Sequence, residues 1–136
     1  MPKDPSRAID LLGKRCAAGI PDACREVSWA YVEGSGGTKD PARGIRELEA
    51  LCRDAANNQA CSLAAFGSIR QNIATQSKPI DLALRGCTLG DGSGCAVAAD
   101  FLSLGKGGAS IDQARAKSLY ADACDNGVDW ACAKAK

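Results

Sequence analysis

The chain has 136 residues and a mass of 14.0 kDa, and its formal charge is +1, with Lys and Arg interleaved with Asp and Glu. No basic stripe is present for nucleic acid, and no charged tail that would recruit an opposite partner. Histidine is absent and aromatics make up 4% of the residues, which excludes His-dependent triads and favours helices packed through small side chains over a core of large rings.

From the N-terminus onward the chain repeats one phrase: a cysteine, seven or eight residues, and a second cysteine. The copies are Cys16 to Cys24, Cys52 to Cys61, Cys87 to Cys95 and Cys124 to Cys132, and they use all eight cysteines. First cysteines follow one another at intervals of 36, 35 and 37 residues, a period that marks stacked repeats. Nine residues before each stands a base, Arg7, Arg43, Lys78 or Arg115; twelve before stand Asp4, Asp40, Thr75 and Asp112. Asp4-Pro5 and Asp40-Pro41 read as an N-cap followed by proline at the first helical position; around Asp112, the run Ser110 to Gln113 is also a possible capping box.

These first helices are expected to run about 13 residues, with Ile9, Leu12, Ile45, Leu48, Ile80 and Leu119 on one side. Three residues after the cysteine come Gly19, Ala55, Gly90 and Gly127, and glycine there suits a left-handed helix end. Asp22, Ser93 and Asp129 are the expected caps of second helices near residues 22–34, 58–70, 93–105 and 129–136. The pattern predicts an all-α, single-domain chain over 1–136, made of hairpins at about 4–34, 40–70, 75–105 and 110–136. The glycine-rich loops after Gly34 and Gly105 lack the Gly-Lys-Ser/Thr ending of a phosphate loop and read as turns.

The residues Ala23, Val27, Ser28, Tyr31, Gly34, Gly36, Asp40, Arg43 and Gly44 resemble the Sel1-like repeat. Gly94, Ala98, Ala99, Leu102, Gly105, Gly107, Asp112, Arg115 and Ala116 repeat it with one inserted residue. The middle copy is degraded: Ala60, Ala64 and Ala65 fit, while Gln71 replaces a glycine and Lys78-Pro79 the usual Lys-Ala. Together with the cysteine spacing the chain resembles the Helicobacter cysteine-rich proteins. The resemblance implies an α-solenoid of Sel1-like, TPR-like hairpins, each closed by its own disulfide. It implies two functional readings as well, since Sel1-like proteins are in general adaptors and some cysteine-rich members are described as penicillin-binding or as weak β-lactamases.

Of the 105 pairings that eight cysteines allow, the repeat selects Cys16–Cys24, Cys52–Cys61, Cys87–Cys95 and Cys124–Cys132, since only cysteines at adjacent ends of one hairpin keep bridging distance in every copy. Metal, redox and haem readings are weaker: there is no Cys-x-x-Cys, no histidine, and Met1 is the one methionine. No cofactor is expected. Disulfides predict an oxidising compartment, periplasmic or secreted. Because Met1 to Pro5 lack the n- and h-regions of a signal peptide, the chain reads as a mature or trimmed form; a cytosolic protein with reduced thiols is the other reading. No apolar run reaches the ~18 residues of a membrane span.

One catalytic pattern is present, Ser103-Leu104-Gly105-Lys106, the Ser-x-x-Lys spacing of serine β-lactamases. The accompanying Ser-Asp-Asn and Lys-Thr-Gly elements are absent, so Ser103 and Lys106 are not expected to form a nucleophilic site. Glu47 and Glu49 read as solvated helix positions. Trp29, Tyr31, Phe66, Phe101, Tyr120 and Trp130 read as packing between helices, with Trp29 or Trp130 able to reach the surface. The expected function is recognition of a protein, a peptide or a cell-wall fragment on a concave face built from the second helices. Residues assigned to that surface are Val27, Ser28, Tyr31, Arg70, Asp100 and Ser103, with Tyr31 the most buried. The alternatives are a weak penicillin-directed enzyme and a structural spacer.

Overall fold

The computed structural model describes residues 5–136, which form four helical hairpins. Their helices are α1 (Pro5–Ala17) and α2 (Pro21–Glu33), α3 (Pro41–Ala55) and α4 (Asn58–Gln71), α5 (Pro79–Thr88) and α6 (Gly92–Leu104), and α7 (Gln113–Asp125) and α8 (Asp129–Lys134). No strand occurs among the described residues. Each helix packs on the next in sequence. The second helices α2, α4 and α6 also touch side by side, whereas the first helices α3 and α5 barely meet. Second helices therefore make the tighter inner layer of the stack and first helices the wider outer layer, the geometry of a solenoid.

Each hairpin is clamped where its helices turn. The bridges Cys16–Cys24, Cys52–Cys61, Cys87–Cys95 and Cys124–Cys132 hold their Cα atoms 4.5 to 4.8 Å apart. Three turns place glycine in the left-handed region, at φ 91° for Gly19, 96° for Gly90 and 93° for Gly127. The second turn has no glycine. Its cysteines are nine apart instead of eight, so α3 continues through Ala55 and Ala56 takes φ 48° in its place, a conformation that costs an L-residue about 1 kcal/mol.

Helix starts follow the expected chemistry in part. Asp40 and Asp112 cap α3 and α7 by accepting the backbone N–H of Arg43 at 3.2 Å and of Arg115 at 3.0 Å; the Asp4 cap lies outside the described residues. α5 does not start near Thr75. It starts at Pro79 behind an extended, uncapped Lys78, because proline pushes the residue before it out of the helical region. Nor do Asp22, Ser93 and Asp129 cap the second helices. The cap falls four residues before the second cysteine in every hairpin, at Ile20, Asn57, Asp91 and Val128. Asn57 accepts from Ala60 N–H at 3.0 Å and donates to Asp22 at 3.2 Å, while Asp91 accepts from Ser93 N–H at 3.1 Å and from the Ser62 hydroxyl at 2.6 Å. These two caps thus also tie one second helix to the one before it.

The interior is built from small residues. Ala60, Ala64, Ala65, Ala98 and Ala99 are fully buried beside Leu48, Cys52 and Ile45, and helices approach so closely that a Cβ on Gly44 would stand 2.5 Å from the Ser28 carbonyl oxygen. Successive hairpins are joined by a recurring bond: Asp40 N–H donates to Tyr31 O and Asp112 N–H to Leu102 O, each at 2.9 Å. At the degraded middle junction Glu49 supplies the anchor. Its carboxylate, 4% exposed and not the solvated group expected, accepts the backbone N–H groups of Gln76 at 3.0 Å and Ser77 at 2.8 Å. Glu47 is engaged too, accepting from the Ser28 hydroxyl and from Arg43 Nε at 2.9 Å each.

Removing the Glu49 anchor leaves two backbone donors without a partner at a packed junction. Glu49→Ala is expected to cost about 2–3 kcal/mol, since hydrogen bonds to a charged group contribute about 1.5–3. Exposed Arg46→Ala on the same helix should cost less than about 0.5. Urea titration followed by far-UV circular dichroism compares them; equal losses contradict the anchoring role.

Candidate functional site

The face that α2, α4, α6 and α8 present away from the first helices follows a fixed register. Counted from each second cysteine, it uses the residues two before (Gln59, Ser93, Trp130), two after (Glu26, Leu63, Val97, Lys134) and five after (Trp29, Phe66, Asp100). The spacing keeps them on one side of a 3.6-residue helix. None of these side chains is fully buried, and Phe66 and Trp130 are 42% and 53% exposed. The opposite row, three, four and seven after the cysteine, points at the first helices. There Ala64, Ala98, Ala65, Ala99, Ser28, Ser68 and Leu102 are buried.

The expected binding residues therefore divide. Arg70 and Asp100 lie on the open face, Arg70 exposed with its guanidinium 5.8 Å from the Phe66 ring centroid. Ser28 does not: it is 2% exposed and its hydroxyl bonds to Cys24 O and Glu47. Val27 and Tyr31 are half-buried and floor a groove between α1 and α3 on the outer side. The Arg43 guanidinium stacks there, 4.3 Å from the Tyr31 centroid, and its hydrogen bond to Glu47 raises its pKa further above the ordinary value, with the charge of Glu47 adding to the effect. Phe101 and Tyr120 are buried, and it is these, not the half-buried Tyr31, that fill the gaps between helices.

On the open face, α4, α6 and the turn into α8 enclose a cleft of about 310 Å³, walled by Leu63, Phe66, Val97, Val128 and Trp130 and edged by Ser62, Ser93 and Asp100. Asp100 is its one ionisable residue. One oxygen of that carboxylate accepts a short hydrogen bond from the Tyr120 hydroxyl on α7. Burial, and then this bond, push the Tyr120 phenol well above its ordinary pKa. Lys134 Nζ sits 4.0 Å from the same oxygen, 5.3 Å from the Tyr120 ring and 5.4 Å from the Trp130 ring. Tyr120 and Trp130 meet edge to face at 6.2 Å, and Trp29 and Phe66 are tilted neighbours at 6.5 Å.

Ser103 and Lys106 are not brought together as a nucleophile and its base. Ser103 is half-buried in the last turn of α6, its hydroxyl donating to Gln113 Oε1 at 3.3 Å while its carbonyl accepts from Gln113 Nε2 at 3.0 Å. Lys106 is exposed in the loop beyond Gly105. Among the described residues, no group of three His, Cys, Asp or Glu side chains is placed to hold a metal ion, and no helix is long and apolar enough to cross a membrane.

No family model and no curated protein matches the chain. Among solved structures, the crystal structure of a Sel1 repeat protein from Oxalobacter formigenes superposes with a TM-score of 0.81 over 98% of this chain at 23% identity. The chain spans about half, 54%, of that protein's length. With four hairpins in consecutive contact and a disulfide at each turn, the chain has the fold of a Sel1 repeat solenoid.

Proposed function

We propose that the protein is a binding scaffold of an oxidising, extracytoplasmic compartment that recognises a protein or peptide partner on its second-helix face. The observation that carries this reading is the cleft on that face, bordered by the exposed rings of Phe66 and Trp130. A chain with so few aromatics gains nothing for its own fold by leaving two of them in water, and exposed aromatics beside charged side chains are the usual anchors of protein recognition. The outer groove fits less well, because Arg43, Glu47 and Ser28 already satisfy one another there. The four disulfides support the compartment.

Photo-cross-linkable benzoylphenylalanine at Phe66 or Trp130 is expected to trap a protein partner in cells. The same group at the exposed outer-helix positions Arg46 or Arg115 is expected to trap none. The adduct should fall sharply with Arg70→Ala combined with Asp100→Asn; asparagine is used because alanine would strand the Tyr120 hydroxyl. Equal trapping from the outer positions contradicts the reading, and trapping of glycan alone replaces the protein partner with a cell-wall fragment. For the rival enzyme reading, intact-mass analysis after incubation with benzylpenicillin should show no adduct at Ser103. An adduct that disappears in Ser103→Ala would favour a penicillin-directed enzyme.

A further inference from the structure

Resting on that reading of the second-helix face, we propose that the α4–α6–α8 cleft takes an arginine side chain from an extended segment of a partner protein. In this arrangement the guanidinium meets Asp100 and the methylene stem lies against Phe66, Val97 and Trp130. Size sets the first limit. About 310 Å³ accommodates one long side chain, whereas a docked helix needs a trough about 10 Å wide. Charge sets the second. Asp100 is the one ionisable residue lining the cleft, and the nearby Asp91 carboxylate holds the Ser62 hydroxyl that edges it. A wholly apolar side chain would fill the space but leave the Asp100 carboxylate partly desolvated without a full counter-charge.

The carboxylate is already positioned. Tyr120, buried behind it on α7, holds one oxygen in place, while the Asp100 side chain stays 41% exposed toward the cleft. The chain's own cation does not satisfy it. Lys134 Nζ stands at 4.0 Å and is itself 55% exposed, a geometry that contributes little. Its place over the Trp130 and Tyr120 rings nonetheless shows the chemistry of this corner, a carboxylate and two ring faces that draw a cation. Arginine suits it better than lysine, because a planar guanidinium stacks on rings and offers a fork to a carboxylate while its stem covers apolar surface. On the α4 side the neighbouring charge is Arg70, which lies over Phe66 and outside the lining of the cleft. It sets a direction: the partner's next side chain toward α4 should not be basic.

The test uses the intact oxidised protein and the acetylated, amidated pentapeptide Ala-Leu-Arg-Leu-Ala, with versions carrying citrulline or norleucine in place of arginine. Binding is followed by NMR at the indole N–H of Trp130, assigned with Trp130→Phe, and by calorimetry. The arginine peptide is expected to bind, shifting the Trp130 signal, and added salt to weaken it. Citrulline in the peptide, or Asp100→Asn in the protein, should each weaken binding about tenfold, the cost of losing a charge-assisted hydrogen bond. The citrulline comparison is made on the unaltered protein and so does not depend on how the variant folds. Norleucine binding as well as arginine, or Asp100→Asn binding unchanged, overturns the proposal while leaving a second-helix binding face intact. Free arginine amide binding as tightly as the pentapeptide overturns it in favour of a small-cation site. Failure of every peptide up to its solubility limit also overturns it, and only if the Phe66 and Trp130 cross-links fail as well does the binding-face reading fall with it.

Discussion

Everything in this fold depends on how closely two helices are held at the turn of each hairpin. With the paired cysteine Cα atoms 4.5 to 4.8 Å apart, the residues beside them must be small. Ala60, Ala64, Ala98 and Ala99 occupy those positions with no exposure at all. Small interior residues bury little apolar area apiece, so the covalent clamp takes over part of the work that large side chains do in other solenoids. The remaining large side chains are then free for other uses, and two of the chain's six aromatic residues, Phe66 and Trp130, stand in the open on the second-helix face.

Departures from the repeat show what the stack tolerates. The second hairpin lacks the turn glycine and answers with one extra residue and a left-handed Ala56. The junction after it lacks the aspartate that elsewhere fastens one hairpin to the next, and a buried Glu49 reaches over from α3 to hold Gln76 and Ser77 instead. In each case a different group supplies what the repeat lacks there. In the stack so built, α4, α6 and α8 share one cleft, and Tyr120 of α7 stands behind Asp100 of α6.

Much of this was legible in the sequence. A cysteine phrase at near-constant period, with Asp40 and Asp112 at a fixed distance before it, specifies hairpins, their order and their turns, because each depends on residues near in the chain. The residues expected on the second-helix surface divide: Arg70 and Asp100 lie on the open face, whereas Ser28 is buried and Val27 and Tyr31 floor the outer groove. Tyr31, Ser68 and Leu102 differ in size at one shared position, yet Ser68 and Leu102 are buried and Tyr31 is half-buried. Two of them are used through the backbone: Tyr31 and Leu102 offer the carbonyls that fix the next hairpin. A sharper signal lay beside them. Four residues after the second cysteine stand Ser28, Ala65 and Ala99, uniformly small and buried; five after stand Trp29, Phe66 and Asp100, larger, unlike one another and none of them buried. Glu49 could not be read at all, since its partners are backbone groups 27 and 28 residues away.

The claim that covalent clamps stand in for a large apolar core is tested most directly by comparing thermal unfolding of the oxidised protein with that of the same protein reduced by a phosphine, free thiols being counted in both. Closing a loop of about nine residues removes about 2.5 kcal/mol of chain entropy from the unfolded state. Four such loops approach the whole stability of a small domain, about 5–15 kcal/mol. The oxidised protein should show no free thiols and a single cooperative transition; the reduced protein, with eight, should lose most of its helical signal at or below room temperature. A reduced chain that keeps its helices and melts within about 5 °C of the oxidised one, a shift worth about 1.4 kcal/mol or less, would contradict the account.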